Sequence, residues 1–215
     1  MTQIFQPSTD RWLRFFFLAF VLIAVGTIAV AVPGMQSAMT GVGYQPTQPV
    51  PFSHKLHAGE LAMDCTYCHN TVDRADYAAI PTTETCLNCH ARVVPNSPLL
   101  VDVFESYGSR VPIEWIRVHR LPDYTYFSHQ AHVTVGVSCV SCHGRVDQME
   151  EVRQVEPLNM AWCLDCHRHP EAELRPSEFV TDLAWQPDND PVELGRQLRA
   201  MNDINPPENC SACHR

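Results

Sequence analysis

Ten cysteines fall into five C-x-x-C pairs: Cys65/Cys68, Cys86/Cys89, Cys139/Cys142, Cys163/Cys166 and Cys210/Cys213. A histidine follows each pair at once: His69, His90, His143, His167 and His214. No cysteine is left over. Histidine fills only 11 of 215 positions, so five such placements by chance have odds on the order of one in three million. The spacing suits covalent haem attachment. Two thiols form thioether bonds to the two vinyl groups of a porphyrin, and two intervening residues set the sulfur separation. The next residue then lies beneath the ring, where an imidazole nitrogen can bind the iron. Zinc ribbons use C-x-x-C pairs two at a time and require no histidine after each, and disulfides require none either. The pattern predicts five haem c groups.

A low-spin electron-transfer haem needs a second axial ligand, normally His or Met. Six histidines lie outside the motifs: His54, His57, His119, His129, His132 and His169. Four of them belong to a repeated element. Phe52-Ser53-His54-Lys55-Leu56-His57 precedes the first motif and Phe127-Ser128-His129-Gln130-Ala131-His132 precedes the third. Two histidines three apart on one helical turn can reach two neighbouring irons, which makes His54, His57, His129 and His132 expected ligands. His119 is a further expected ligand. His169, two residues after His167, is a candidate for a ligand or a propionate contact. Met149 and Met160 lie between the third and fourth motifs and are candidate thioether ligands, with core packing as the alternative. Arg92, Arg145, Arg168 and Arg215 follow the motifs closely. Each suits a haem propionate as well as it suits the solvated surface.

The elements that position these groups must be short. Residues 52–215 offer roughly 33 residues per haem, too few for a conventional polypeptide core. The expected fold is therefore a multihaem cytochrome c, mainly short α-helices and loops wrapped around haems that form much of the interior. Seventeen prolines against nine glycines agree with a loop-rich body. The repeat predicts two dihaem modules, 52–90 and 127–167, with a fifth haem at 210–214. The stretch 91–126, with Trp115, His119 and Leu121-Pro122-Asp123-Tyr124, is expected to bridge them. One longer helix is legible: Asp190 as N-cap, Pro191 in the first turn and Glu193 completing a capping box. Leu194, Leu198 and Met201 share one face of it, suited to the last haem or to any other core.

Phe15 to Val32 is an apolar run broken only by Gly26 and Thr27, long enough to span a bilayer, with Trp12 and Leu13 on the interfacial side. Arg11 and Arg14 precede it, and no acid or base lies between Arg14 and Lys55. The positive-inside rule then places residues 1–32 as a cytoplasmic N-terminus with a single transmembrane anchor. Everything beyond lies on the periplasmic side of the inner membrane, where haem is attached to c-type cytochromes. A cleaved signal peptide is the competing reading, since Ala29-Val30-Ala31 resembles a cleavage site, but the run is longer than a usual signal core. Residues 33–51, rich in Gly, Pro, Gln and Thr, are expected to be an extended linker. The net charge of −9 argues against nucleic acid and fits a redox partner with a basic docking surface.

The modules are similar to those of small multihaem cytochromes. That resemblance implies that His54 and His129 bind the haems that follow them, while His57 and His132 bind neighbouring haems. A second resemblance rests on Val118-His119-Arg120-Leu121-Pro122-Asp123, Tyr126-Phe127-Ser128-His129, Gly136-Val137-Ser138-Cys139 and Leu158-Asn159-Met160-Ala161-Trp162-Cys163. With the anchor and five motifs, these resemble the pentahaem cytochrome c subunit of bacterial alternative complex III, a quinol:electron-acceptor oxidoreductase. The resemblance implies an electron-transfer subunit that is no enzyme on its own. It also implies partners: quinol-binding integral membrane subunits, an iron–sulfur, molybdopterin-enzyme-like periplasmic subunit, a monohaem cytochrome c and a terminal oxidase beyond them. Menaquinone reductase complexes carry a similar subunit that tends to have a sixth haem, and this chain has no sixth motif. Two other functions compete: an anchored quinol dehydrogenase feeding periplasmic reductases, and a multihaem nitrite or hydroxylamine reductase. The latter needs an iron with an open coordination position, and six spare histidines leave little reason for one.

Overall fold

The chain begins with α1, Pro7–Thr40, in a computed structural model that describes residues 6–214. Met1 to Phe5 and the propionate candidate Arg215 lie outside the described residues. Within α1, Ser8–Val32 is long and apolar enough to cross a membrane. Its 25 residues rise roughly 37 Å at 1.5 Å each, against about 30 Å of hydrocarbon. The helix does not stop at Val32. Residues 33–40, expected as the start of an extended linker, continue it. Met, Gln and Ala are good helix formers, and extending an existing helix carries no nucleation cost.

Residues 42–215 form a second unit. Its first ten residues are turn and loop but are tied to the rest of that unit. Gly43 N donates to Gln154 O at 2.8 Å, and Gln154 N donates to Tyr44 O at 3.0 Å. The Gln48 side chain meets both backbone groups of Ile116, donating at 2.8 Å and accepting at 2.9 Å. Val50 is buried with Leu100 and Val103.

The second unit is helix and loop. Among the described residues there is no strand, only isolated bridges at Thr125↔His214 and Val137↔Leu174. The helices are α2 (Cys65–Cys68), α3 (Thr83–His90), α4 (Val101–Ser109), α5 (His129–Thr134), α6 (Cys139–His143), α7 (Met160–Arg168), α8 (Pro191–Met201) and α9 (Cys210–Cys213). A π-helical turn at Lys55–Glu60 precedes α2. Every C-x-x-C pair thus sits on its own short helix, as expected of a multihaem body. Four of these five helices start at a side-chain cap, where an oxygen accepts an orphan backbone N–H. Asp64 caps α2, Ser138 caps α6, Asn159 caps α7 and Asn209 caps α9. The buried apolar side chains are few and gather in two small clusters. One is Val50, Leu100 and Val103; the other is Leu174, Leu198 and Ile204.

Helix α8 follows its sequence signals in part. Asp190 accepts from Val192 N at 2.9 Å, and Pro191 opens the helix. Glu193 does not close a capping box, because its carboxylate is taken by Arg196 and Gln197. Leu194 and Leu198 pack with Leu174 and Ile204, but Met201 is 74% exposed, so the apolar face ends before it. The helix lies against the 3-10 turn Pro170–Glu173. Gly195 makes that approach possible, since a Cβ there would collide with the Glu171 carbonyl.

Candidate functional site

The two F-x-H-x-x-H elements build the same cradle twice. Phe52 meets His54 edge-on at 4.8 Å and 88°, and stacks on His57 at 4.4 Å and 25°. Phe127 meets His129 at 4.8 Å and 86°, and stacks on His132 at 4.7 Å and 28°. In each copy the second histidine bonds through Nδ1 to the carbonyl four residues back, His57 to Ser53 O at 2.9 Å and His132 to Ser128 O at 2.8 Å. One phenyl ring therefore contacts both imidazoles, and one carbonyl fixes the second, while His54 Nδ1 is buried without a partner. The match holds although the first copy is π-helical and the second is α-helical.

Four more histidines make the same kind of bond. Nδ1 reaches Ala79 O from His69 at 2.7 Å, Val93 O from His90 at 3.1 Å, Asp76 O from His129 at 2.9 Å and Pro207 O from His167 at 2.7 Å. A carbonyl can only accept, so each Nδ1 carries the proton and each Nε2 keeps its lone pair. That is the tautomer an iron ligand needs, and the bond raises ligand basicity.

The rings also come in pairs. Two imidazoles that each place a nitrogen about 2 Å from one metal have centroids roughly 6 Å apart. His57 and His90 are 6.1 Å apart, His129 and His143 6.4 Å, and His132 and His167 6.0 Å. His54 stands close enough to His69 and His57 to feel both electrostatically. Among the described residues no three His, Cys, Asp or Glu side chains converge on one point as a zinc site requires. The donor set is paired imidazoles beside paired thiols, which fits haem c.

Burial keeps several of these imidazoles neutral. It pushes His54 and His119 down to about 4 and His143 to about 3, with neighbouring histidines adding to the effect. Neutral imidazole is the metal-binding form. Burial likewise pushes up the thiols of Cys68, Cys86 and Cys163, and takes Cys166 to about 11 and Cys142 to about 12. The Cys65 thiol is held up first by a hydrogen bond with Cys139 and then by burial.

Eight motif cysteines are partly buried, whereas Cys89 and Cys210 are exposed. The reason for Cys89 lies in how α3 packs. Cys86 and Leu87 turn to the cluster of Val50, Leu100 and Val103, and the last turn of the helix, with Asn88 and Cys89, stands beyond that cluster at the surface. Cys210 opens α9 between exposed Asn209 and Ser211. Thioether formation needs the thiol within reach of a vinyl group and does not need it buried, so the spacing argument for Cys89 and Cys210 stands on the motif alone.

The remaining candidates are placed unequally. His119 is half-buried, its Nε2 is buried without a partner, and its ring lies 4.3 Å from that of His143. His214 has the Tyr124 ring at 5.8 Å, and Tyr126 N donates to Cys213 O at 2.7 Å. Met149 is 6% exposed, as a packed core residue would be, whereas Met160 is 63% exposed. His169 is exposed at the end of α7. Arg145 forms a two-bonded pair with Asp147 at 2.8 and 2.6 Å, Arg168 pairs with Glu208 at 3.0 Å, and Arg92 is exposed. Sequence reasoning gave no role to the Phe52 and Phe127 rings or to the Ser53 and Ser128 carbonyls. The repeat itself was the signal that could have found them.

Residues 125–215 match the family model of cytochrome c7 and related cytochrome c. The chain is also similar to the menaquinone reductase multihaem cytochrome c subunit of Nitratidesulfovibrio vulgaris. The two are 32% identical over 192 residues, which cover 89% of this chain and 88% of that protein.

Proposed function

The chain belongs to the multihaem c-type cytochromes, and from that premise we propose that it carries electrons through five haem c groups as one subunit of a quinone-reactive membrane complex. The observation that carries this reading is the recurring separation of about 6 Å between imidazole rings, with Nδ1 held by a carbonyl on at least one ring of each pair. The five C-x-x-C pairs attach the haems, and His69, His90, His143, His167 and His214 are the ligands on the attachment side. His54, His57, His129 and His132 face His69, His90, His143 and His167 respectively. The haem supplies the one-electron chemistry when bound. The chain fixes the tautomer of its ligands, orients their rings against Phe52 and Phe127, and shields them from water.

For His214 the second ligand comes from Met160 or His119. Met160 is three residues before Cys163 on α7, so both lie on one helix face, and Cys163 is close enough to Cys213 to feel it electrostatically. His119 offers a buried Nε2 without a partner. A methionine here would set one haem at a higher potential than the rest.

Helix α1 anchors the chain, with Arg11 and Arg14 on the cytoplasmic side and the haem domain in the periplasm. Within the family we place the chain in a quinol-oxidising complex like alternative complex III, on the resemblance carried by its residues 118–163 and its five motifs. Electrons would pass from quinol-binding membrane subunits and an iron–sulfur, molybdopterin-like subunit towards a monohaem cytochrome c or terminal oxidase. The second reading, a menaquinone reductase subunit working in the opposite direction, draws on the similarity to the N. vulgaris protein over most of both chains. Purification in mild detergent with identification of the co-purifying subunits separates the two. An assembly that oxidises quinol supports the first, and one that reduces menaquinone supports the second. A chain that purifies alone and binds no quinone-reactive partner contradicts both.

A further inference from the structure

The caps of α2 and α6, the helices of the first and third motifs, are tied to the same two residues. Val180 O accepts Ser138 Oγ at 2.7 Å and Cys139 N at 3.3 Å. Thr181 Oγ1 donates to Asp64 Oδ2 at 2.8 Å, and Thr181 O lies 3.8 Å from Cys65 Sγ. Ser138 and Val180 are each only 2% exposed, so the α6 side of this clip is interior, while the Thr181–Asp64 bond lies at the surface. A second tie runs parallel to it. Asp76 O accepts from both His129 N, at 3.0 Å, and His129 Nδ1, at 2.9 Å, and Ala75 O accepts from Gln130 N at 3.2 Å. The same loop holds His69 through Ala79 O. The ligands expected at the first and third sites therefore hang on one loop, and their attachment helices start from one clip.

The second motif is connected differently. Helix α3 meets α2 through Asn88 Nδ2, which donates to Tyr67 Oη at 3.2 Å, and its His90 ring lies beside His57 of the turn before α2. Among the described residues no hydrogen bond or ion pair joins α3 to α6, α7 or α9. The fourth and fifth sites are joined by His167 to Pro207 and by Arg168 to Glu208. The two exposed motif cysteines, Cys89 and Cys210, belong to the second and fifth motifs.

We propose that the two dihaem modules join through their first haem sites, with Val180–Thr181 as the clip, so that the second site in the sequence is an end of the array. Chain order and spatial order then differ: the sites run second, first, third, fourth, fifth. This rests on the five-haem reading above.

The test is a cryo-electron microscopy map of the full haem-loaded chain in its complex. The first-site iron is expected to be the nearest neighbour of the third-site iron across the module boundary, with the second-site iron farther from the third than the first is. A second-site iron nearest to the third overturns the proposal. A Ser138→Ala, Thr181→Val double variant gives an independent readout. Magnetic coupling between the first- and third-site haems in electron paramagnetic resonance should be lost while the couplings within modules persist; unchanged coupling counts against the clip. Haem counting on the same samples separates the claims. Five irons in another order overturn the junction alone, and fewer than five overturn the reading beneath it.

Discussion

The rings of His57 and His90 lie 6.1 Å apart at 63°, although one belongs to the Lys55–Glu60 turn and the other closes α3. His132 and His167 repeat the relationship at 6.0 Å and 43°, again between an F-x-H-x-x-H turn and the second motif of a module. Two segments of different helical type thus present the same pair of rings, because a phenyl ring and a carbonyl four residues back fix the second histidine in both.

The His129 and His143 rings are 6.4 Å apart, so His129→Ala should leave one haem five-coordinate. That haem should turn high-spin and bind carbon monoxide when reduced. His169→Ala, at an exposed position, should leave every haem low-spin. A His129 variant that stays fully low-spin would remove His129 from the ligand set.

Much of this site was legible in the sequence. The C-x-x-C-H motifs and the doubled histidine element are local patterns, readable from spacing alone. Other features depend on long-range contacts that leave no local mark. The Val180–Thr181 clip joins residues 42 and 117 positions apart, and His119 sits beside His143 through a loop path that no periodicity predicts. The motif alone does not distinguish Cys86 from Cys89, and only the packing of α3 on its neighbours leaves the second of them at the surface. In α8 the cap at Asp190 was readable, but Glu193 found Arg196 and Gln197 instead of the helix start. The helical continuation over 33–40 was masked by Pro33 and Gly34, whose breaker signal yields when a long helix already exists.

Phe127 stacks on His132 and meets His129 edge-on, so Phe127→Ala should loosen two ligands at once. Lost ring contacts and a partial cavity should cost about 2 kcal/mol, lowering Tm by roughly 4–8 °C. A temperature-dependent high-spin fraction should appear in the visible spectrum. An unchanged Tm and spectrum would show that the phenyl bracket does not hold the ligands.

Gly195→Ala should act on the fold alone. Its Cβ would collide with the Glu171 carbonyl, and separating α8 from Pro170–Glu173 should cost about 1–3 kcal/mol. Thermal unfolding should shift down while the haem spectrum keeps its low-spin bands. Equal stability of the two proteins would mean that α8 does not sit against that turn.

Near-infrared magnetic circular dichroism reports the axial pairs directly. At least four haems should give bis-histidine signals. The fifth should be His/Met if Met160 completes it and bis-histidine if His119 does; Met160→Ala or His119→Ala then turns that haem high-spin. A spectrum dominated by His/Met signals would contradict the imidazole pairing.

The isolated chain should accept electrons from a small reductant but should not oxidise quinol at a meaningful rate, since one apolar helix offers little of a quinone pocket. Fast quinol turnover by the purified subunit would make it an enzyme in its own right.

Intact-mass spectrometry of the mature chain tests the central claim most directly. The account predicts five haem additions, no cysteine left open to alkylation (the exposed Cys89 and Cys210 included), and an N-terminus that retains α1. Four or fewer additions, or a C-x-x-C pair that still alkylates, would contradict the five-haem array, and a chain beginning after Ala31 would contradict the anchor.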